Sequence, residues 1–282
     1  MQASTSASHF KLTRVGVTGV KKLVPIKRPK KKIHELVVTL DLFVDLPARQ
    51  KGSHMSRNLE LVSEVIDASL KKPVSDLESF CADIAKRLLE KHEYATVSEV
   101  KAEADYFLET IYPSGEKGEE PYTLVAEARA NGKGCTKLIG VKVIGMTACP
   151  CAMEVLRTLK EVDATSVVPT HNQRNIGTLM IEVPSGDTSV DADELIHIVE
   201  NAFSSPTYSL LKRKEEAETV LQAHQQPKFV EDVVRDMLKA VINCFPHLTD
   251  TTMVIAKSES EESIHKHNAF AERITSLGEL RS

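Results

Sequence analysis

From Leu36 to Leu46 the chain alternates without a break. Leu36, Val38, Leu40, Leu42, Val44 and Leu46 share one parity; Val37, Thr39, Asp41, Phe43 and Asp45 take the other. Neighbouring side chains of a strand point to opposite faces, so this is a long strand with one apolar face. Such a strand needs a sheet around it and a layer to cover that face.

The flanking sequence supplies both. Val15 to Ile26 reads as a partner strand, and Pro47 ends the alternating one. Val62, Val65, Ile66 and Leu70 then recur at helical spacing until Pro73. Ser75-Asp76-Leu77-Glu78 has the pattern of a capping box, followed by Leu77, Phe80, Cys81, Ile84, Leu88 and Leu89 on one helical face. Val100 to Leu108 alternates, with a helix as the alternative, and Pro113 to Pro121 reads as a Gly/Glu/Pro loop. Tyr122 to Ala128 and Leu138 to Met146 are strand-like on either side of an Asn131-Gly132 turn. Met153 to Lys160 is compatible with a helix. Leu179, Ile181 and Val183 alternate before a Pro184-Ser185-Gly186 turn, and Asp191 caps a helix carrying Leu195, Ile198, Val199, Ala202 and Phe203. Ser204 to Gln226 is polar. Phe229 to Ile242 is the most regular helix, with Cys244 at its end, and Thr251 to Lys257 reads as a last strand.

The order strand, strand, helix, helix, strand, strand thus occurs twice. It predicts an α+β fold of antiparallel sheets with paired helices on one face. A soft boundary near Lys117 to Gly134 divides the chain into an N-terminal module over residues 1–125 and a C-terminal module over residues 126–282. The first residues, 1–12, read as disordered; residues 1–9 are rich in Ser and Ala.

Composition narrows the class. The 282 residues are 41% hydrophobic and 27% charged, as expected of a globular chain with room for a core. A net charge of -4 gives no case for nucleic acid as a partner. No apolar run is long enough for a membrane span and no leader peptide is evident, so a cytoplasmic setting is expected. Five cysteines, Cys81, Cys135, Cys149, Cys151 and Cys244, are an odd number. In a reduced compartment the pair Cys149-Pro150-Cys151 suggests metal binding or catalysis before a disulfide, which would close a strained ring. Cys149 falls between a strand and a helix, where the helix dipole favours thiolate. Two thiols cannot close a metal site, so other donors are needed.

Several polar segments lie off the periodic faces. Lys51-Gly52-Ser53-His54-Met55-Ser56-Arg57 offers donors and cations beside a helix start, suited to an oxyanion, or it is a plain loop with Ser56 as cap. Thr170-His171-Asn172-Gln173-Arg174 precedes a strand; His171 is a potential ligand and Arg174 a phosphate grip, or both are ordinary loop residues. Leu210 to Glu216 is a charge run. Glu231 and Asp232 either complement a helix N-terminus or accept the paired N–H groups of a guanine edge. His265 and His267 share a face in an extended segment. Lys27-Arg28-Pro29-Lys30-Lys31-Lys32 is a solvated loop or a phosphate-attracting rim. Together these groups are the inventory of a metal-assisted hydrolase acting on a nucleotide.

Taken in order, these segments resemble the GTP cyclohydrolases of the IB type, most closely their archaeal Fe(II)-dependent relatives of the methanopterin pathway. The resemblance rests on Leu46-Pro47 with Lys51 to Arg57, Cys149-Pro150-Cys151, His171 to Arg174, Leu210 to Arg213, Pro227 to Asp232, and Ser263-Ile264-His265 with His267. It implies a bimodular tunnelling fold and a homodimer or homotetramer with active sites between subunits. It implies one Fe2+ per site, with Zn2+ or Mn2+ as alternatives, held by Cys149, His171 and Glu216. In place of Glu216, Glu215 is a competitor, since this chain reads Lys212-Arg213-Lys214-Glu215-Glu216 where the bacterial pattern has a proline. Glu231 resembles the guanine anchor, His265 and His267 the catalytic pair, and Cys151 an assisting or second-sphere thiol. His54, Arg57 and Arg174 would bind the triphosphate of GTP. The implied reaction opens the guanine imidazole ring, releases formate and diphosphate, and forms 7,8-dihydroneopterin 2',3'-cyclic phosphate. The alternatives are a IB-type enzyme making the dihydroneopterin triphosphate and a non-catalytic, metal-stabilised nucleotide-binding module.

Overall fold

A computed structural model describes residues 9–27, 33–71, 74–184 and 189–282. In chain order the elements are β1 (Leu12–Lys27), β2 (Ile33–Leu46), α1 (Met55–Lys71), α2 (Leu77–Lys91), β3 (Val97–Ile111), β4 (Lys117–Asn131), β5 (Gly134–Ala148) and α3 (Pro150–Lys160). They continue as β6 (Asn172–Pro184), α4 (Ala192–Ala202), β7 (Ser205–Pro206), α5 (Arg213–Gln225), α6 (Val230–Cys244), β8 (Met253–Ser260), β9 (Ala269–Ser276) and α7 (Leu277–Arg281). The chain forms two compact units. One comprises Met1–Tyr106, Leu124–Ile139 and Glu182–Ser189; the other comprises Phe107–Thr123, Gly140–Ile181 and Val190–Ser282.

In the first unit β1 pairs antiparallel with β2, and β2 with β3, followed by parts of β4 and β5. The alternation that opens the sequence is carried into the ladder. Leu40 faces Ala102 and Leu42 faces Val100 across the β2–β3 pairing, and Val38, Leu40 and Leu42 are fully buried while Val37 is exposed. Leu61, Val62 and Val65 of α1 and Phe80, Ile84 and Leu88 of α2 complete this core. Each such side chain contributes about 1.5–3 kcal/mol through burial. Asp76, rather than Ser75, is the N-cap of α2 and accepts the Ser79 amide at 2.7 Å. The β1–β2 ladder shifts register between Val17 and Val20, where Gly19 takes φ 69° and donates its amide to Asp41 at 2.8 Å. A side chain there would strain the left-handed backbone of the bulge. Deeper in, Lys137 is almost fully buried between Asp76 and Glu78, with its ammonium 3.1 Å from the Ser79 hydroxyl. Burial, and then the neighbouring Asp76, push the Glu78 carboxyl up to about 8.

In the second unit the strand order runs through parts of β3, β4 and β5 to β6, β8 and β9, with β7 on β5. Leu179 and Ile181 of β6 and Val254 and Ala256 of β8 bury against α4 and α6 through Leu195, Val199, Val233, Met237 and Val241. Gly145 and Gly177 permit this approach: a Cβ at either would stand 2.0 Å or 2.4 Å from Phe203 or Val199 respectively.

Most elements lie where periodicity placed them, with instructive differences. Pro121 lies inside β4, which starts at Lys117, so the expected Pro113 to Pro121 loop is shorter; proline's fixed φ suits extended backbone. Asn172 to Arg174 belong to β6 rather than to a preceding loop. The polar stretch after Ser204 contains α5, whose buried residues are only Thr219, Ala223 and His224, too few to give an apolar stripe. Thr251 to Lys257 does not end the strands: β9 follows, and with Thr275 its one buried residue it has no apolar face to mark it. His265 and His267 sit in the bend between β8 and β9, not in extended backbone. The expectations for residues 1–8, for 28–32 of the cationic run, for Pro73 and for the 185–186 turn fall outside the described residues.

Candidate active site

Cys149 directly follows β5 and caps α3. Its Sγ accepts the Ala152 amide at 3.5 Å, and Pro150 at the first helical position loses no bond by lacking a donor. The Cys149 amide donates to the His171 carbonyl at 3.0 Å, so the two ends of the excursion through α3 are bonded together. Cys149 and Cys151 are free thiols; Cys151 is exposed on α3.

A cavity of about 290 Å³ in the second unit is lined by Thr147, Cys149, His171, Gln173, Glu231 and Glu262, with His265, His267, Phe229 and Phe270 also on its wall. Strand ends and a helix start converge here. β5 leads into Cys149, His171 leads into β6, α6 begins beside Glu231, and the β8–β9 bend carries Glu262, His265 and His267.

The hydrogen bonds fix the His171 ring. Its Nδ1 lies 2.8 Å from Gln173 Oε1, and Gln173 Nε2 donates to Thr147 Oγ1 at 3.3 Å. An amide oxygen only accepts, so this network assigns the proton to Nδ1 and leaves Nε2 with its lone pair. Glu262 Oε2 stands 3.6 Å from the same Nδ1. A carboxylate on the far nitrogen is the arrangement that orients a metal-binding imidazole. The His265 ring centroid is 6.3 Å from that of His171, and His265 stacks on His267 at 5.1 Å and 17°.

At the start of α6 the two acids divide their work. Asp232 accepts the Phe229 amide at 3.0 Å and so satisfies the helix terminus. Glu231, exposed and in the first turn, lines the cavity.

Other expected site residues stand elsewhere. Glu216 is exposed on α5 and lines a separate cavity of about 660 Å³ with Val168, Pro169, Arg213 and His224. Glu215 accepts the Lys212 amide at 2.8 Å, which commits it to the start of α5. Arg174 is exposed on the strand face opposite Gln173. His54 and Arg57 belong to the first unit, at the start of α1, where Arg57 donates to the Lys91 carbonyl at 3.0 Å. Behind them Ser53, Tyr94, His92 and Asn58 form a buried chain of contacts at 2.7, 2.8 and 2.7 Å. Burial, then the neighbouring Arg57, His54 and Lys91, push the His92 imidazole down to about 4.

Cys149 and His171 suit a divalent ion by chemistry: a thiol, and an imidazole whose second nitrogen is already engaged. Among the described residues no three His, Cys, Asp or Glu side chains are grouped closely enough to hold an ion. Sequence reasoning missed Glu262 and the exposed aromatic ring of Phe270, and it gave no role to Gln173 and Thr147, although both lie in segments that it singles out. The available signal for Glu262 was a carboxylate three residues before His265. No helix among the described residues is long and apolar enough to cross a membrane.

Comparison with known proteins shows the family. A family model described as Type I GTP cyclohydrolase folE2 matches residues 1–271. GTP cyclohydrolase MptA of Methanococcoides burtonii is 45% identical over 302 residues, covering 100% of this chain and 95% of that protein. The MptA of Methanosarcina acetivorans is 45% identical over 305 residues, covering 100% and 96%. That of Methanothermobacter thermautotrophicus is 43% identical over 289 residues, covering 96% and 91%. Among solved structures, uricase from Arthrobacter globiformis superposes with a TM-score of 0.54 at 11% identity, covering 94% of this chain and 93% of its own. A uricase from Bacillus fastidious gives 0.52 at 11%, covering 96% of each. At such identity the likeness shows the fold alone: the α+β tunnelling fold, with antiparallel strands and paired helices on one face.

Proposed function

The chain belongs to the type I GTP cyclohydrolases of the folE2 family, and from that premise we propose that it opens the imidazole ring of GTP in methanopterin-type pterin biosynthesis. The products in this reading are formate, diphosphate and 7,8-dihydroneopterin 2',3'-cyclic phosphate. The observation that carries it is the cavity of the second unit, where a thiol, three imidazoles and two carboxylates line one wall system.

The residues divide the chemistry. The Glu231 carboxylate has two oxygens to accept the two parallel N–H donors of a guanine edge, which places the purine at the mouth of the cavity. The exposed ring of Phe270 offers that purine an aromatic face. Water adds at C8. The stacked His265 and His267 transfer protons as the C8–N9 bond breaks to leave a formamide on N7, and as a second water cleaves the N7–C8 bond to release formate. Cys149 and His171 would hold a divalent ion, Fe2+ in this reading; Glu216, its third donor, lines a different cavity of this chain and would complete the set only from another subunit or after rearrangement. When bound, such an ion supplies Lewis acidity that makes water a nucleophile near neutral pH. Gln173 and Glu262 keep the His171 proton on Nδ1 and its Nε2 available. His54, Arg57 and Arg174 are assigned to the triphosphate, and the active protein is read as a homodimer or homotetramer.

The test is anaerobic incubation of the metallated protein with GTP. Formate with diphosphate and a cyclic phosphate supports the reading. Formate with a retained triphosphate moves the protein to the dihydroneopterin triphosphate class, and GTP binding without formate refutes cyclohydrolase activity. Sedimentation of the same preparation gives the subunit count.

A further inference from the structure

Helix α5 presents a packing problem whose solution bears on the site. Only three of its residues are buried, and most of the rest are exposed. Its C-terminal turn is nevertheless anchored, because His224 is 8% exposed and each of its ring nitrogens lies within hydrogen-bond distance of a carbonyl oxygen. Nδ1 lies 2.7 Å from the Val220 carbonyl, one turn back in the same helix. Nε2 lies 3.1 Å from the carbonyl of Thr170. Carbonyl oxygens only accept and a neutral ring carries one N–H, so one of the two contacts is a hydrogen bond of the neutral ring; in the Nε2–H tautomer it goes to Thr170.

Thr170 is the residue before His171, and its hydroxyl and carbonyl are both committed. The hydroxyl donates to the Cys149 carbonyl at 2.8 Å. The Cys149 amide in turn reaches the His171 carbonyl at 3.0 Å. These two bonds fasten the Cys149 and His171 backbones to each other. They leave the Thr170 carbonyl, which belongs to the same rigid peptide plane as the His171 amide. Fixing that oxygen fixes the plane from which the His171 side chain departs.

We propose that His224 is a positioning residue for the Cys149–His171 pair, clamping the Thr170–His171 peptide from α5 so that thiol and imidazole face one cavity. Its importance for metal capture rests on the function proposed above; its action on the backbone does not. His224 touches neither the purine nor an ion in this scheme. It is separate from Gln173 and Glu262, which orient the His171 ring, because it acts on the main chain.

Two substitutions separate the clamp from the bulk of the ring. His224→Phe keeps a flat ring of somewhat larger volume and removes the N–H. His224→Gln offers an amide N–H at the place of Nε2. Metal-free protein is titrated anaerobically with cobalt(II), following the thiolate-to-cobalt absorption band, and amide exchange is followed at Cys149 without metal. Loss of an orienting partner weakens metal affinity on the order of 10–100-fold. The proposal expects His224→Phe to bind cobalt at least about tenfold more weakly, with faster exchange at Cys149, and His224→Gln to recover most of both. Cobalt affinity in His224→Phe equal to that of the unsubstituted protein overturns it. Equal loss in both variants also overturns it, since the N–H would then be irrelevant. If the unsubstituted protein takes up no cobalt, the metal reading fails, and the exchange rate decides alone: faster in His224→Phe supports the clamp, and unchanged exchange refutes it.

Discussion

Acidification should destabilise the first unit through His92, by an amount that follows from its surroundings. The ring is fully buried, with Nδ1 on the Tyr94 hydroxyl and Nε2 on the Asn58 amide oxygen. Charging it means placing a cation in a dry site beside Arg57, His54 and Lys91, and its folded-state value falls from 6.5 to about 4. Between those values the unfolded chain binds a proton that the folded chain refuses. The stabilisation is therefore complete above the unfolded value and is lost as pH falls towards the folded one. At ~1.36 kcal/mol per unit the whole effect is ~3 kcal/mol, of which ~2 kcal/mol is gone by about pH 5. Urea unfolding of the unsubstituted protein and of His92→Gln, each at about pH 7.5 and about pH 5, isolates this contribution. The substitution has its own structural cost, but that cost cancels in the pH dependence. The unsubstituted protein should lose ~2 kcal/mol more than the variant over this interval. Parallel losses would refute the reasoning and show that His92 is charged or solvated in the folded protein.

Other outcomes are expected as well. Glu78, held up at about 8 by burial and Asp76, carries a proton when folded that it lacks when unfolded; its stabilisation is full below 4.5 and fades as pH rises through 8, so Glu78→Gln should gain on the unsubstituted protein in alkaline denaturation series. Lys137 opposes this from 3.8 Å, but it shares its charge with Asp76, so burial decides the direction. Cys149→Ala should remain folded while metal content and formate release collapse, and Glu216→Gln should lose metal in parallel; a metal-replete Glu216→Gln protein removes that residue from the ligand set. Glu231→Gln should raise the KM for GTP about tenfold or more, as loss of a charge-assisted pair of hydrogen bonds predicts, with metal content unchanged by elemental analysis. Gly145→Ala would put a Cβ 2.0 Å from the Phe203 ring and should cost about 1–3 kcal/mol, read as a lowered melting temperature.

The parts of the fold that could be read in advance are those with a buried face. β2, α2 and α6 each set apolar residues at the period of their element, because one side meets the core. α5 and β9 could not be read that way. α5 is attached by three buried residues, one of them His224, and β9 buries Thr275 almost alone. Exposure on most faces removes the periodic signal. The site divides along the same line. Cys149, His171, Glu231, His265 and His267 stood out as polar groups off the periodic faces, and all five line one cavity. Glu262 and Gln173 did not, since an acid in a polar bend and an amide at a strand start carry no signal until the His171 Nδ1 is seen between them.

The sequence alone determined the type of the elements that have a buried face and the kinds of chemical group present, because these depend on local periodicity and residue identity. Only tertiary structure decided which of those groups share a space. Strand alternation turned Arg174 away from Gln173, and the capping of two helices took Glu215 and Asp232 out of the set of free acids. The bonding of the end of β5 to the start of β6 brought Cys149 to His171 and gave His224 a backbone to hold. Convergence of residues distant in sequence is a property of packing, and no local pattern encodes it.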